Sequence, residues 1–212
     1  MKLLEPVLKQ ALGPEWFSLA PVIQAHYGLA PATDERIQLR GTMDRVFYSR
    51  VVSPLIPVAA LAGAMVPYRG HNVPVEVVNY SVPGKPGYFW HRIFYFPGKK
   101  PYEFRSRMIC TGASELTEYV RYGLGLQLTV SVKNGGLIEK EVGYVWRIGR
   151  LSISVPLHVL LGRSYVEEMP ISASEYQMQW VITHPVFGET FAYSGRFSLV
   201  PQQEAYEKFS AI

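Results

Sequence analysis

Cysteine is almost missing from this chain: Cys110 is the single one among 212 residues. One thiol closes no intrachain disulfide, and such usage points to a reducing compartment, so the cytoplasm is the expected location. Charge is also sparse, at 18% of residues against 48% apolar. That balance is too apolar for a disordered chain and too charged for a membrane protein. No secretion signal is read at the start, because Glu5, Pro6 and Lys9 interrupt any apolar core there.

Catalytic and cofactor signatures are missing as well. There is no Gly-x-Ser-x-Gly elbow and no phosphate-binding loop. Gly123 and Gly125 begin a dinucleotide-like pattern, but the third glycine is absent and a strand follows instead of a helix. His26, His71, His91, His158 and His184 are scattered, none with a second ligand at metal-binding spacing. No cofactor and no metal are expected.

The net charge is +4 and the isoelectric point about 9.1. The basic excess is local. Residues 85–107 hold Lys85, Arg92, Lys99, Lys100, Arg105 and Arg107 against Glu103, whereas residues 164–212 are acidic. No basic run exceeds two residues, which disfavours nucleic acid and leaves a solvated edge or a dock for an anionic partner.

What is abundant is aromatic: 14 Tyr, 10 Phe and 4 Trp, a composition that favours strands. Residues 3–29 show helical spacing, split by Gly13-Pro14, and 1–35 reads as a helical N-terminal region. A β domain follows over 37–199, then a polar tail, 200–212. The whole of 1–212 reads as one domain.

Residues 51–68 carry no charge. Pro54, Pro57 and Pro67 leave only residues 58–66 uninterrupted, about 13 Å of helix against a hydrocarbon core of about 30 Å. The segment therefore does not span a bilayer. It reads as a short apolar helix closing one end of a sheet, with a mobile lid or a peripheral membrane contact as the other readings. No basic face flanks it locally.

From residue 73 onward, strand-length segments alternate with turn signals. Leu124–Val132 alternates cleanly, and Asn134-Gly135 is the strongest hairpin turn. About nine to ten strands without intervening helices make the fold mainly β, an antiparallel β-barrel or strongly curved half-barrel with N-terminal helices. Residues 156–168 are ambiguous, with a short helix from Pro156 to Gly162.

Strand parity selects the candidate site. Trp90, Arg92 and Phe94 share a face, and so do Leu116, Glu118 and Val120. Tyr176, Met178, Trp180, Ile182 and, by extension, His184 align in one strand; Val142, Tyr144, Trp146 and Ile148 align in another. Arg45, between Met43 and Phe47, is a weaker case. Arg92 and Glu118 among aromatics read either as a buried ion pair or as a pocket in which Arg92 grips an anionic head while the rings hold an apolar body. Glu118 and His184 acting as an acid–base couple is a third reading.

These segments resemble the bacterial family called domain of unknown function 4166. The resemblance rests on Trp90-x-Arg92-x-Phe94, Phe104-x-Ser106, Glu118 with Gly123, Asn134-Gly135-Gly136 and Val155-Pro156-Leu157. It continues through Glu175, His184-Pro185-x-x-Gly188 and Tyr193-x-Gly195, over residues 25–199. It implies partnership with a dehydrogenase-type oxidoreductase acting on small or lipid-like metabolites, and supplies no catalytic residues. This chain has no nucleotide-binding domain of that kind.

The first expectation is a non-enzymatic binding module for an apolar or lipid-like molecule with an anionic group, built from Arg92, Glu118, Trp90, Phe94, Tyr144, Trp146, Tyr176, Trp180 and His184. The alternatives are a cofactor-free isomerase or hydrolase using Glu118 or His184, and an interaction domain without a cavity that docks through residues 85–107.

Overall fold

A computed structural model describes residues 5–201. Eleven antiparallel strands form one sheet: β1 (Arg36–Tyr48), β2 (Gly70–Tyr80), β3 (Tyr88–Phe94), β4 (Tyr102–Gly112), β5 (Glu115–Tyr119), β6 (Leu124–Lys133), β7 (Gly136–Ile148), β8 (Leu151–Val155), β9 (Arg163–Pro170), β10 (Glu175–His184) and β11 (Gly188–Leu199). Neighbours follow chain order from β1 to β7, then β9, β10 and β11, and β11 returns to β1. The sheet is thus a closed barrel of ten strands, which leaves no free edge in the ring. β8 lies outside the ring. It pairs with the last part of β7, Tyr144–Ile148, while β9 pairs with the first part, Leu137–Lys140. The barrel wall therefore splits at one end, between β8 and β9.

The turn chemistry agrees with the sequence. Asn134 (φ 52°) and Gly135 (φ 77°) both take the left-handed backbone of a tight two-residue hairpin, with Lys133 opposite Gly136. Bulges supply the curvature. Register shifts fall between Met43 and Arg45, Cys110 and Gly112, Gln127 and Leu128, and Ile182 and Thr183.

One end of the barrel is plugged. Helix α1 (Val7–Leu12) continues through a 3-10 turn (Gly13–Ser18) into α2 (Pro21–His26). Gly13-Pro14 ends the first helix as expected, but the second begins at Pro21, not Pro14. Val7, Leu8, Val22, Ile23 and Tyr27 are buried against the barrel, each apolar side chain contributing roughly 1.5–3 kcal/mol. Backbone bonds fix the plug to the turns at that end: the Ser114 amide donates to Ala11, and the Ala20 amide to Gly135.

The opposite end carries two short helices, α3 (Ile56–Leu61) and α4 (His158–Leu161). α3 is the expected helix of the uncharged 51–68 segment. Tyr102 ties it down, donating its hydroxyl toward the carbonyls of Ala60 and Met65. α4 ends at Gly162, whose φ of 98° is open to glycine and whose Cα abuts the Thr183 backbone. Strand β9, within the stretch the sequence leaves ambiguous, follows at once. The tail from residue 202 lies outside the described residues.

Candidate functional site

Alternation in β3 turns Trp90, Arg92 and Phe94 inward. The Arg92 guanidinium lies 4.0 Å over the Trp90 ring and 4.8 Å from the Phe104 ring. From β5, Glu118 Oε1 accepts from Arg92 Nη1 at 3.2 Å and from Nη2 at 3.1 Å, and Nη1 also donates to Ser106 Oγ at 3.2 Å. The two side chains are only 9% and 14% exposed, so this is a buried pair. Burial by itself would depress the guanidinium pKa; the adjoining Glu118 carboxylate overcomes that and holds it above its ordinary value.

Two chambers meet at this pair. The outer one, about 330 Å³, lies under α3 and α4, between Val58, Ala59, Leu157, Leu160, Leu161 and Tyr144. Apart from Glu118 its wall is almost wholly apolar. The inner one, about 50 Å³, extends toward the plugged end and reaches His26, Glu139, Glu168 and Tyr176. Phe104, Glu118, Leu126 and Trp180 border both. The interior thus runs from an oily mouth to a polar floor, with Arg92 and Glu118 at the step.

The floor is richer in carboxylates than the sequence suggested. Glu168 accepts from the Tyr27 hydroxyl at 3.1 Å and lies 3.3 Å from His26 Nδ1. Nearer the lidded end, and lining neither chamber, Glu141 is bound by Arg163 Nη1 at 2.9 Å and by the Ser164 amide at 3.1 Å. Glu139 is buried with Oε1 unpartnered, and so are Trp90 Nε1 and the Tyr88 hydroxyl. Burial pushes the Glu139 carboxyl well above the ordinary carboxylate range. The nearby Glu168 and Glu118 add to this and Arg92 opposes it. The shift favours the protonated carboxyl, the form that can donate as well as accept a hydrogen bond.

Sequence parity missed Glu139 and Glu141, and the reason is a bulge. β7 pairs Val130 with Glu139 and Leu128 with Glu141, then shifts so that Gln127 faces Gly143. Val142 is the extra residue and is exposed, a correction to the face assigned to it. Tyr144 points inward to the outer chamber, but Trp146 and Ile148 lie beyond the lip and are half exposed. The Trp146 indole N–H donates to the Tyr122 carbonyl instead of lining the cavity. Counting back from the Asn134-Gly135 turn would have found the two glutamates, since inward Val130 and Leu128 stand opposite them.

Of the other expected site residues, Trp90, Arg92, Glu118, Tyr176 and Trp180 line the inner chamber. Phe94 is fully buried in core packing near Phe96 and Tyr193 and borders neither chamber. His184 is also outside them. The extra residue at the nearby register shift is Thr190 of β11, so β10 keeps its alternation; His184 is its last residue and lies at the β10–β11 turn, where it reaches the Val159 carbonyl and accepts from the Val186 and Phe187 amides. Glu118 and His184 are therefore not brought together. Arg45 is diverted by the β1 bulge at Asp44 and pairs with Glu189 at 2.6 Å. Among the described residues no His, Cys, Asp and Glu group is placed to hold a metal.

The family model described as domain of unknown function 4166 matches residues 19–197. The chain belongs to this family. The match includes every strand that lines the two chambers, so the cavity lies within the family's own region. No curated protein and no solved structure matches the chain.

Proposed function

We propose that this protein binds an apolar small molecule by its body in the outer chamber, with a polar end against Arg92 and Glu118. The observation that carries the proposal is the outer chamber itself. Its size falls within the ~300–1,000 Å³ of small-molecule sites, and a few polar groups converge at its inner end.

The sequence reading gave Arg92 to an anionic head. In the folded chain Glu118 already occupies that guanidinium, and Glu139 and Glu168 lie deeper along the same path. An anionic head would have to displace Glu118. A neutral hydroxyl, carbonyl or amide would hydrogen-bond to the pair, and to the free groups of Glu139 and Trp90, without breaking it. A neutral polar head is therefore the better fit. A carrier of this kind suits the oxidoreductase partnership that the family resemblance implies.

Native mass spectrometry of the freshly purified protein is the test, followed by competition between a medium-chain alcohol and the acid of equal length. The expected result is a bound small molecule displaced more readily by the alcohol. An empty protein that takes up neither compound would remove the proposal. Stronger uptake of the acid would restore the anionic head.

A further inference from the structure

Five connections lie at the lidded end of the barrel: residues 49–69, 95–101, 120–123, 149–162 and 185–187. Far apart in sequence, they are linked in space. The Arg121 stem packs on Gly63, Trp146 bonds Tyr122, and His184 joins the β10–β11 turn to α4. Together they form one continuous face around the cavity mouth.

This face is apolar to an unusual degree. Seventeen large apolar side chains are exposed among the described residues, and all but Phe17, Val142 and Ile171 belong to these connections or to the adjoining end of β7. Leu61 of α3 is 64% exposed and Val159 of α4 61%, and neither lines the outer chamber. Monomeric proteins seldom leave so large an apolar patch uncovered without a partner for it.

The charge on the face decides what that partner is. The five connections contain Arg50, Arg69, Lys99, Lys100, Arg121 and Arg150, all exposed, and no Asp or Glu. The described connections at the plugged end carry the reverse balance, with Glu5, Glu15, Asp34 and Glu35 against Lys9 and Lys85. Near the mouth, Glu103 is paired with Arg105 and Glu189 with Arg45. The 51–68 segment has no basic flank in the sequence, but folding gathers one around it. No helix among the described residues is long and apolar enough to cross a membrane. Apolar side chains ringed by cations match a surface with an oily interior and anionic headgroups.

We infer that the lidded end docks on an anionic lipid bilayer, with α3 and α4 at the acyl boundary and the cavity mouth facing the lipid. The basic side chains sit at headgroup level, and the opening lies where an apolar ligand is dissolved.

The test is co-sedimentation of the full chain with phosphatidylcholine vesicles, with and without phosphatidylglycerol. Binding is expected to the anionic vesicles, about tenfold or more weaker to the neutral ones, and to fall with added salt. The pair Leu61→Glu with Val159→Glu, and separately Lys99→Glu with Lys100→Glu, should each lower binding about tenfold or more. Phe17→Glu, an equally exposed apolar site at the plugged end, should not. All these positions are exposed, so melting curves should match the parent. Absence of vesicle binding, or equal binding by every variant, would overturn the inference. So would a stable dimer in light scattering that Leu61→Glu with Val159→Glu dissociates, since a second copy would then cover the face. Ligand retention, read by native mass spectrometry on the same samples, reports on the cavity independently of docking.

Discussion

Arg92 donates both terminal nitrogens to a single oxygen of Glu118, inside the barrel and between two aromatic rings. Each charge is tolerable there only because of the other. Removing one partner of such a pair typically costs about 3–5 kcal/mol, whereas replacing both by apolar groups of similar volume is often neutral. Arg92→Met and Glu118→Leu are each expected to destabilise the fold by about that amount, and the double variant to recover most of it. Urea denaturation of the set checks this. Additive losses in the double variant would show that the pair is not coupled.

Glu139 gives a pH signature. Its carboxyl is pushed above the ordinary range when folded, so the folded state binds this proton more tightly than the unfolded chain does. The associated stability is fully present below the unfolded-state pKa. It is lost as pH rises from the ordinary carboxylate range through the raised folded value. The groups facing Glu139 include Glu118, Glu168, Arg92, Tyr27, Tyr88 and Tyr193. Glu139→Gln should therefore flatten the decline in stability toward neutral and alkaline pH, with little change in acid. Denaturation midpoints across pH measure it; parallel curves for the two proteins would contradict the assignment.

Ala59 looks into the outer chamber from α3. Ala59→Phe would fill part of that space with a ring. Stability should change by less than about 1.5 kcal/mol, because the volume is available, while any ligand is excluded. Native mass spectrometry and a thermal melt on one sample separate the two effects. Undiminished ligand occupancy would mean that the ligand sits elsewhere.

Gly135 holds a left-handed backbone, and its carbonyl accepts from the Ala20 amide of the N-terminal plug. Gly135→Val places a β-branched residue at positive φ and should cost about 1–3 kcal/mol. The loss should be shared between the hairpin and the plug. Hydrogen exchange would show faster exchange at the Ala20 amide; exchange confined to the hairpin would argue that the contact does not anchor the plug.

The legible part of this protein was its local grammar. Asn134-Gly135 named a hairpin, Leu124–Val132 named a strand and its faces, and three prolines with an uncharged run named a short helix at an end. The inward pairing of Arg92 and Glu118 was also readable, since both strands run straight past those positions. The reading failed where the strands bend. At Val142 the extra residue reverses the faces of β7, so Val142 was placed inside and Glu139 and Glu141 were overlooked. It failed also where strands end: His184 keeps its place in the buried row of β10 but, like Trp146 in β7, lies past the chambers.

The sequence by itself determined the period of each segment, because alternation and turn residues act over a few neighbours and need no partner. Tertiary structure alone decided that β11 returns to β1, that β8 leaves the ring and opens a mouth, and that six cations from distant loops surround it. Those outcomes depend on which strand edges meet and on bulges that pairing imposes, and long-range hydrogen bonding sets both.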